Sequence, residues 1–266
     1  MKIISVLFTV FILLFAGGCA LPQTAELNDR LIIEAVGIDR TPDGGVLVTV
    51  QALDSISPGS GENAYNSEKL TQTFSLTGRT AAEAMEKLPS VTGLLPLYSQ
   101  ARLLIFGRST AEYPSDGLLD FFLREYTVRP DVCVAAAENT AEELLRADLG
   151  QNIIGAAEME KILVSGENTG LTAAVPLYEF AAQTENENGC AYCQLLKLGN
   201  TSFPGEKQTV APAGLLVFSG KEARSVISPE DTPVFLMLRG KAGKISLSFR
   251  GDGYSMTVRA IKTAPA

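Results

Sequence analysis

The sequence contains neither histidine nor tryptophan among its 266 residues. Without histidine, the chain cannot build a Ser-His-Asp triad, a Cys-His pair or a zinc site with imidazole ligands, because each of these needs that side chain. No other catalytic arrangement stands out in the sequence. The composition therefore predicts a protein that is not an enzyme, with no cofactor and no metal site.

Cysteine is scarce as well, with four residues in the whole chain, and so low a count is not typical of a domain held together by disulfides. Cys190 and Cys193 form a Cys-x-x-Cys pair. A redox role would need a low-pKa thiolate, usually at a helix N-terminus, whereas this pair enters a strand-like segment. The alternatives are two buried small residues or an incidental disulfide. A zinc site would need two further ligands, of which the sequence offers Cys133 alone.

Positive charge is in deficit, since 22 Lys and Arg residues face 30 Asp and Glu residues and the formal net charge is -8. Proteins bind nucleic acid largely by neutralising phosphates with Lys and Arg. The composition therefore argues against a nucleic-acid partner. It argues equally against attachment to anionic lipid through a basic patch, so any membrane attachment must come from another feature.

The first nineteen residues supply such a feature. Lys2 precedes an apolar run over residues 3–16, and the small residues Gly17 and Gly18 lead to Cys19. A basic start, an apolar run and a small-residue cleavage site are typical of a secretory signal. The run is shorter than the roughly 20 residues that a membrane-spanning helix needs.

The cysteine at the cleavage point makes this segment resemble a bacterial lipoprotein signal. In such a signal the thiol is diacylated, and cleavage leaves the modified cysteine as the new N-terminus. The resemblance therefore predicts lipidation of Cys19 and attachment to a membrane through the lipid. The alternative interpretations are an ordinary signal peptide in which the cysteine is incidental, and a mere hydrophobic tail.

The remaining sequence is that of a folded protein, with 46% hydrophobic and 20% charged residues. Alternating or continuous apolar runs predict strands over residues 31–38, 46–51, 70–77, 102–106, 132–137, 190–198, 214–218, 223–227, 244–250 and 254–261. Helical periodicity predicts helices over residues 80–88, 116–125, 140–145, 155–164, 176–183 and 229–238. Thr80 and Thr140 each stand three residues before a glutamate, a pattern typical of a helix start. These elements predict a mixed α/β (α+β) fold in which β-sheets are flanked by helices.

The composition also predicts how the chain divides. We expect a signal peptide over residues 1–19, an N-terminal α/β domain over residues 20–200 and a smaller α+β domain over residues 201–266. The boundary is placed in residues 199–210 because Pro204 and Gly205 are typical of a linker.

Several polar side chains could carry chemistry. Asp39, Asp43 and Asp54 could suggest a calcium loop, but the alternating oxygen-ligand spacing is absent, and we interpret them as turn residues. Arg102 and Arg124 could pair with carboxylates of a partner. Salt bridges within the chain, or solvated positions, are the simpler interpretation.

Three groups of residues resemble a known family. They are Glu26 and Leu27 with residues 36–39, 43–44 and 48–51; residues 102–107 with residues 118–121 and Arg124; and residues 214–218 with Lys221 and residues 230–240. In this order, behind a lipoprotein signal, they resemble the Ger(x)C family, the lipoprotein C subunits of nutrient germinant receptors in endospore-forming bacteria. Family members usually carry Trp-Asp soon after the lipidated cysteine, where this chain has Ala20 and Leu21. They also continue into a further C-terminal domain, so we expect this chain to be a shortened or truncated member.

The resemblance implies a lipid-anchored, non-enzymatic receptor subunit that acts in spore germination. It implies a location on the outer, extracytoplasmic face of the spore inner membrane, with a membrane-spanning A subunit and a permease-like B subunit as partners. One alternative is a substrate-binding lipoprotein that delivers a small ligand to a membrane transporter, which would need a cleft between domains. Another is an extracytoplasmic thiol enzyme that uses Cys190 and Cys193.

Overall fold

The protein is described here from a computed structural model. The structure describes residues 29–53, 70–113, 117–125, 127–150, 153–167, 169–186, 189–199, 208–242, 244–251 and 254–261. The predicted signal peptide, the predicted lipidation site Cys19 and the loop residue Asp54 lie outside these ranges. Among the described residues, no helix is both long enough and apolar enough to cross a membrane.

Strands and helices are interspersed along the described chain, as the sequence predicts. The strands are β1 Arg30–Arg40, β2 Val46–Leu53, β3 Thr71–Gly78, β4 Leu95–Leu97, β5 Leu103–Phe106, β6 Cys133–Ala137, β7 Val175–Pro176, β8 Tyr192–Gly199, β9 Thr209–Ser219, β10 Glu222–Ile227, β11 Lys244–Gly251 and β12 Tyr254–Ile261. The helices are α1 Ala81–Glu86, α2 Leu88–Thr92, α3 Arg108–Glu112, α4 Asp120–Arg124, α5 Ala141–Arg146, α6 Gly155–Glu167, α7 Leu177–Glu185 and α8 Thr232–Leu238. A short 3-10 helix, Tyr98–Gln100, precedes β5.

A mixed β-sheet organises the fold. Its strands lie in the order β10-β9-β8-β6-β5-β1-β2-β3, with β4 paired to β1 and β7 paired to β6. The central strands β1, β5, β6 and β8 are parallel to their neighbours in this group. The outer strands β2 and β3 on one side, and β9 and β10 on the other, are antiparallel to theirs. This arrangement confirms the predicted mixed fold with a helix-flanked sheet.

The central strands are continuous apolar runs because both faces of the sheet are covered. Every residue of β5 and of β6 is buried. One face packs against α5 and α6 through a cluster that includes Ile105, Leu145 and Met159. The other face packs against α1, α3, α4, α7 and α8 through a larger cluster. Parallel strands typically need such double coverage.

Gly37 lets a helix approach the sheet closely. A Cβ atom added at Gly37 in β1 would lie 2.8 Å from the Cβ atom of Ala141, the first residue of α5. A larger residue at position 37 would therefore push α5 away from the sheet.

The predicted boundary between residues 200 and 201 falls between two neighbouring strands. Strand β8 ends at Gly199 and pairs in antiparallel register with β9, where Leu198 faces Val210 and Gly199 faces Thr209. Strands on both sides of the boundary thus belong to one sheet. The division into two domains stays a prediction. Strands β11 and β12 form a separate two-stranded sheet, as the predicted hairpin requires.

Candidate functional site

Asp39 has a role that the sequence did not reveal. The structure places it near the end of β1, buried, with its two carboxylate oxygens each 2.8 Å from a backbone nitrogen, those of Ala141 and Glu142. Burial raises the pKa of Asp39, and the two backbone hydrogen bonds oppose that rise. The interpretation of Asp39 as a turn residue is therefore wrong, because this side chain caps helix α5.

Gly107 makes room for this contact. A Cβ atom added at Gly107 would overlap Oδ1 of Asp39, so the strand end, the cap and the start of α3 fit together only with glycine there. Asp43, in contrast, lies in the exposed turn between β1 and β2, as predicted.

Arg102 lies between two glutamates at the opposite end of the parallel strands. Its Nε is 2.8 Å from Oε2 of Glu34 in β1, and its Nη1 is 2.7 Å from Oε2 of Glu160 in α6. The Glu34 side chain is only 4% exposed. Arg102 therefore neutralises a buried carboxylate within the chain. This confirms the interpretation of Arg102 as a salt-bridge residue.

Arg124 also pairs within the chain, but at the surface. Its Nη2 is 3.5 Å from Oδ2 of Asp120, one turn earlier in α4, and both side chains are largely exposed. An exposed pair of this kind contributes little to stability.

The three described cysteines are free thiols. Cys190 is half-buried just before β8, whereas Cys193 is fully buried within it. Burial raises the pKa of the Cys193 thiol far above its usual range and that of Cys133 to about 11. A reactive thiolate is thus disfavoured at both positions. Within the described ranges, no group of three or more His, Cys, Asp or Glu side chains is placed to hold a metal ion.

A small cavity lies between helices α3, α4 and α7 and the sheet. We call it the Thr110 cavity and define it by Phe106, Thr110, Ala111, Leu118, Phe180 and Phe218, which line it. Its volume is about 60 Å³. The ring of Phe180 meets that of Phe218 edge to face, with centroids 5.0 Å apart, and lies 6.1 Å from that of Phe106.

Thr110 supplies an unusual polar group to this apolar wall. The residue is 4% exposed, and its hydroxyl oxygen is buried without a hydrogen-bond partner among the described residues. Charged side chains lie at the edge of the cavity, where Nζ of Lys221 is 2.9 Å from Oε1 of Glu185. The sequence analysis missed this site because it predicted no helix over Arg108–Glu112.

A larger, polar cleft of about 560 Å³ lies beside β3 and the end of α5. Two of its polar side chains are already engaged in hydrogen bonds. The Gln51 amide donates to the carbonyl of Leu145 and accepts from the nitrogen of Ala156, and the Thr73 hydroxyl donates to the carbonyl of Leu145. Gln51 and Thr73 thus link strands β2 and β3 to the backbone of helices α5 and α6.

Comparison with known proteins adds the following findings. Residues 23–198 match the family model described as the spore germination protein N-terminal domain. The crystal structure of the GerBC protein is similar, with 15% sequence identity and a TM-score of 0.45. That alignment covers 84% of this chain and 61% of the GerBC chain, so this chain spans less than two thirds of that protein's length. No curated protein sequence matches the chain.

Proposed function

The chain belongs to the Ger(x)C family of spore germination proteins, and from this membership we propose that it is the lipid-anchored, non-enzymatic C subunit of a nutrient germinant receptor. The family match carries the proposal. It begins at residue 23, shortly after Cys19, and runs through β8. The family domain thus follows directly behind the expected lipidation site.

Two acyl chains on Cys19 would hold the protein at the outer face of the spore inner membrane. Each buried CH₂ group contributes about 0.8 kcal/mol, so two chains give stable attachment where one is marginal. The segment from Cys19 to Arg30 spans at most about 40 Å when fully extended. The start of β1 would therefore stay close to the membrane surface.

Such confinement suits a subunit that meets membrane-spanning partners. Attachment to the same surface raises the effective concentration of the C subunit for the A and B subunits without requiring tight intrinsic binding. The burial of Cys133 and Cys193 raises the pKa of both thiols, which argues against the alternative of a thiol enzyme that uses Cys193. The family match supports this function over that of a substrate-binding lipoprotein.

The decisive experiment changes Cys19 to Ala in the full chain, with Cys190→Ser as the matched control. We expect the unchanged protein and the control to incorporate an alkyne-labelled fatty acid, to fractionate with spore inner membrane and to co-purify with A and B subunits. Cys19→Ala should lose the label, and its spores should respond poorly to nutrients. Absence of label on the unchanged protein, or an undiminished nutrient response in Cys19→Ala spores, would contradict the proposal.

A further inference from the structure

We propose that the Thr110 cavity binds a small uncharged molecule with a short aliphatic body and one hydroxyl or amide group. The site stands on its own geometry and does not depend on the receptor role. It draws residues from four separate parts of the fold: Phe106 from β5, Thr110 from α3, Phe180 from α7 and Phe218 from β9.

The size of the cavity limits the ligand. A single water needs roughly 10–15 Å³ of such space, so about 60 Å³ admits several waters or a few carbon atoms. A molecule with three to five non-hydrogen atoms fits this space. A sugar, a nucleotide or a peptide segment with several large side chains does not.

The wall of the cavity excludes a charged ligand. Ala111, Leu118 and the three phenylalanine rings present apolar surface, against which an unpaired charge is costly to bury. The charged residues at the edge are already neutralised in pairs, Lys221 with Glu185 and Asp120 with Arg124. The edge therefore offers no excess charge of either sign.

The hydroxyl of Thr110 selects for one polar atom. A buried hydroxyl without a partner is unfavourable, and a group that hydrogen-bonds it gains both its own bond and the relief of that cost. A ligand hydroxyl or amide can donate and accept, so it matches the Thr110 oxygen in either direction. A pure hydrocarbon of the same size would leave the hydroxyl unsatisfied.

The test uses 1-butanol as the probe and the full chain in lipid nanodiscs. The chemical shifts of the Ala111 and Leu118 methyl groups are followed by NMR as the alcohol is added. We expect saturable shifts with a dissociation constant on the order of 1 mM, as suits a ligand of five non-hydrogen atoms. No saturation up to 100 mM would overturn the proposal, because solvent alone would then satisfy Thr110.

Variants of Thr110 separate binding from folding. Thr110→Val keeps the shape and removes the hydroxyl, so it should bind 1-butanol about tenfold more weakly, the usual effect of losing one hydrogen bond. Its melting temperature should not fall, because the change also removes an unpaired buried polar group. Thr110→Ser keeps the hydroxyl and should retain the affinity. Equal affinity in Thr110→Val and the unchanged protein would refute the role of the hydroxyl.

Charged analogues test the ligand class. Butyrate and butylammonium carry the same short chain with a full charge, and we expect each to bind at least tenfold more weakly than 1-butanol. Tighter binding of either ion would show that the site recognises charge and would overturn the proposal. Ala111→Leu fills the cavity and should abolish the shifts of Leu118 for every probe. Persisting Leu118 shifts in this variant would place the binding elsewhere and contradict the assignment.

Discussion

Asp39 caps the helix that begins at Ala141, 102 positions later in the chain. Its carboxylate accepts hydrogen bonds of 2.8 Å from the backbone N–H groups of Ala141 and Glu142. The first turn of a helix leaves such N–H groups without partners inside the helix. Asp39, near the end of β1, thus provides hydrogen-bond acceptors for the first turn of α5 and links this helix to the sheet.

Removal of this cap should destabilise the whole fold. Asp39→Ala leaves two N–H groups without their partner, one of them buried, and each such loss costs about 1–3 kcal/mol. We expect the free energy of unfolding in urea to fall by about 2–4 kcal/mol. Asp43→Ala is the control, since Asp43 lies in an exposed turn, and it should cost under about 1 kcal/mol. Equal effects of the two changes would refute the capping role.

The salt bridge of Arg102 with Glu34 should behave as a buried pair. Arg102→Ala leaves the Glu34 carboxylate, 4% exposed, without its cation, and we expect a loss of about 3–5 kcal/mol in the free energy of unfolding. The double variant Arg102→Met with Glu34→Gln should be markedly more stable than Arg102→Ala, because no buried charge remains unpaired.

Arg124→Ala is the matched control for this experiment. Its pair with Asp120 is exposed, so the change should cost less than about 1 kcal/mol. If Arg102→Ala lowered the free energy of unfolding no more than Arg124→Ala does, the prediction would be wrong, because burial of Glu34 would then not increase the cost of removing its cation.

Glu83 should contribute to the loss of folding stability at acidic pH. The side chain and backbone of Arg79, joined by Lys87, lower the pKa of Glu83 from 4.5 to about 2. A carboxylate with a lowered folded-state pKa stabilises the fold above its unfolded pKa, and this stability is lost as the pH falls through the folded pKa. The contribution of Glu83 is therefore full above pH 4.5 and declines towards about pH 2.

Urea denaturation at pH 7, 4.5 and 3 checks this prediction. Glu83→Gln should lose less stability between pH 4.5 and 3 than the unchanged protein, because one titrating group is gone. Glu86→Gln, an exposed change in the same helix, serves as the control. A pH profile of Glu83→Gln parallel to that of the unchanged protein would count against the ion pairs of Glu83.

The cysteines should differ sharply in reactivity. Cys190 is half-buried, whereas Cys193 is fully buried with a raised pKa, so maleimide should label Cys190 first in the folded protein. Cys133 and Cys193 should react only after unfolding. In the unfolded protein, lipidation of Cys19 leaves three reactive thiols of the four in the sequence. Four labelled thiols would contradict lipidation, and fast labelling of Cys193 would contradict its burial.

Local sequence patterns predicted much of the fold. The hairpin of β1 and β2 and that of β11 and β12 form where alternation and glycine turns indicate them. The hydroxyl oxygens of Thr80 and Thr140 accept hydrogen bonds from the nitrogens three residues later, which confirms both helix starts. In a full capping box the glutamate carboxylate would also accept a hydrogen bond from the backbone N–H of the threonine, and Glu83 does not do so with Thr80. Glu83 instead accepts from the nitrogen of Arg79, just before Thr80.

These local patterns did not predict very short helices or contacts between residues that are distant in the sequence. Helix α1 ends at Glu86, inside the predicted range 80–88, but the patterns did not predict the further helix α2, which begins at Leu88 and places Pro89 in its first turn, where the missing N–H costs nothing. The contact of Asp39 with α5 depends on the parallel pairing of β1 with β5, and no local pattern encodes strand order. Helix α3, with five residues, was too short to give a periodic signal, so Thr110 stayed unnoticed.

The strand order also sets a sequence of events during folding. Strand β1 pairs on one side with β2, its immediate successor, but on the other side with β5, which lies beyond two further strands and two helices. Such distant pairing closes a long loop and is slow compared with hairpin formation. As the nascent chain emerges, the stretch of β1 from Ala35 to Ile38 therefore waits unpaired on this side until Leu103–Phe106 arrives. An exposed edge of this kind attracts other chains, so this interval is the point at which a chaperone would protect the protein from aggregation.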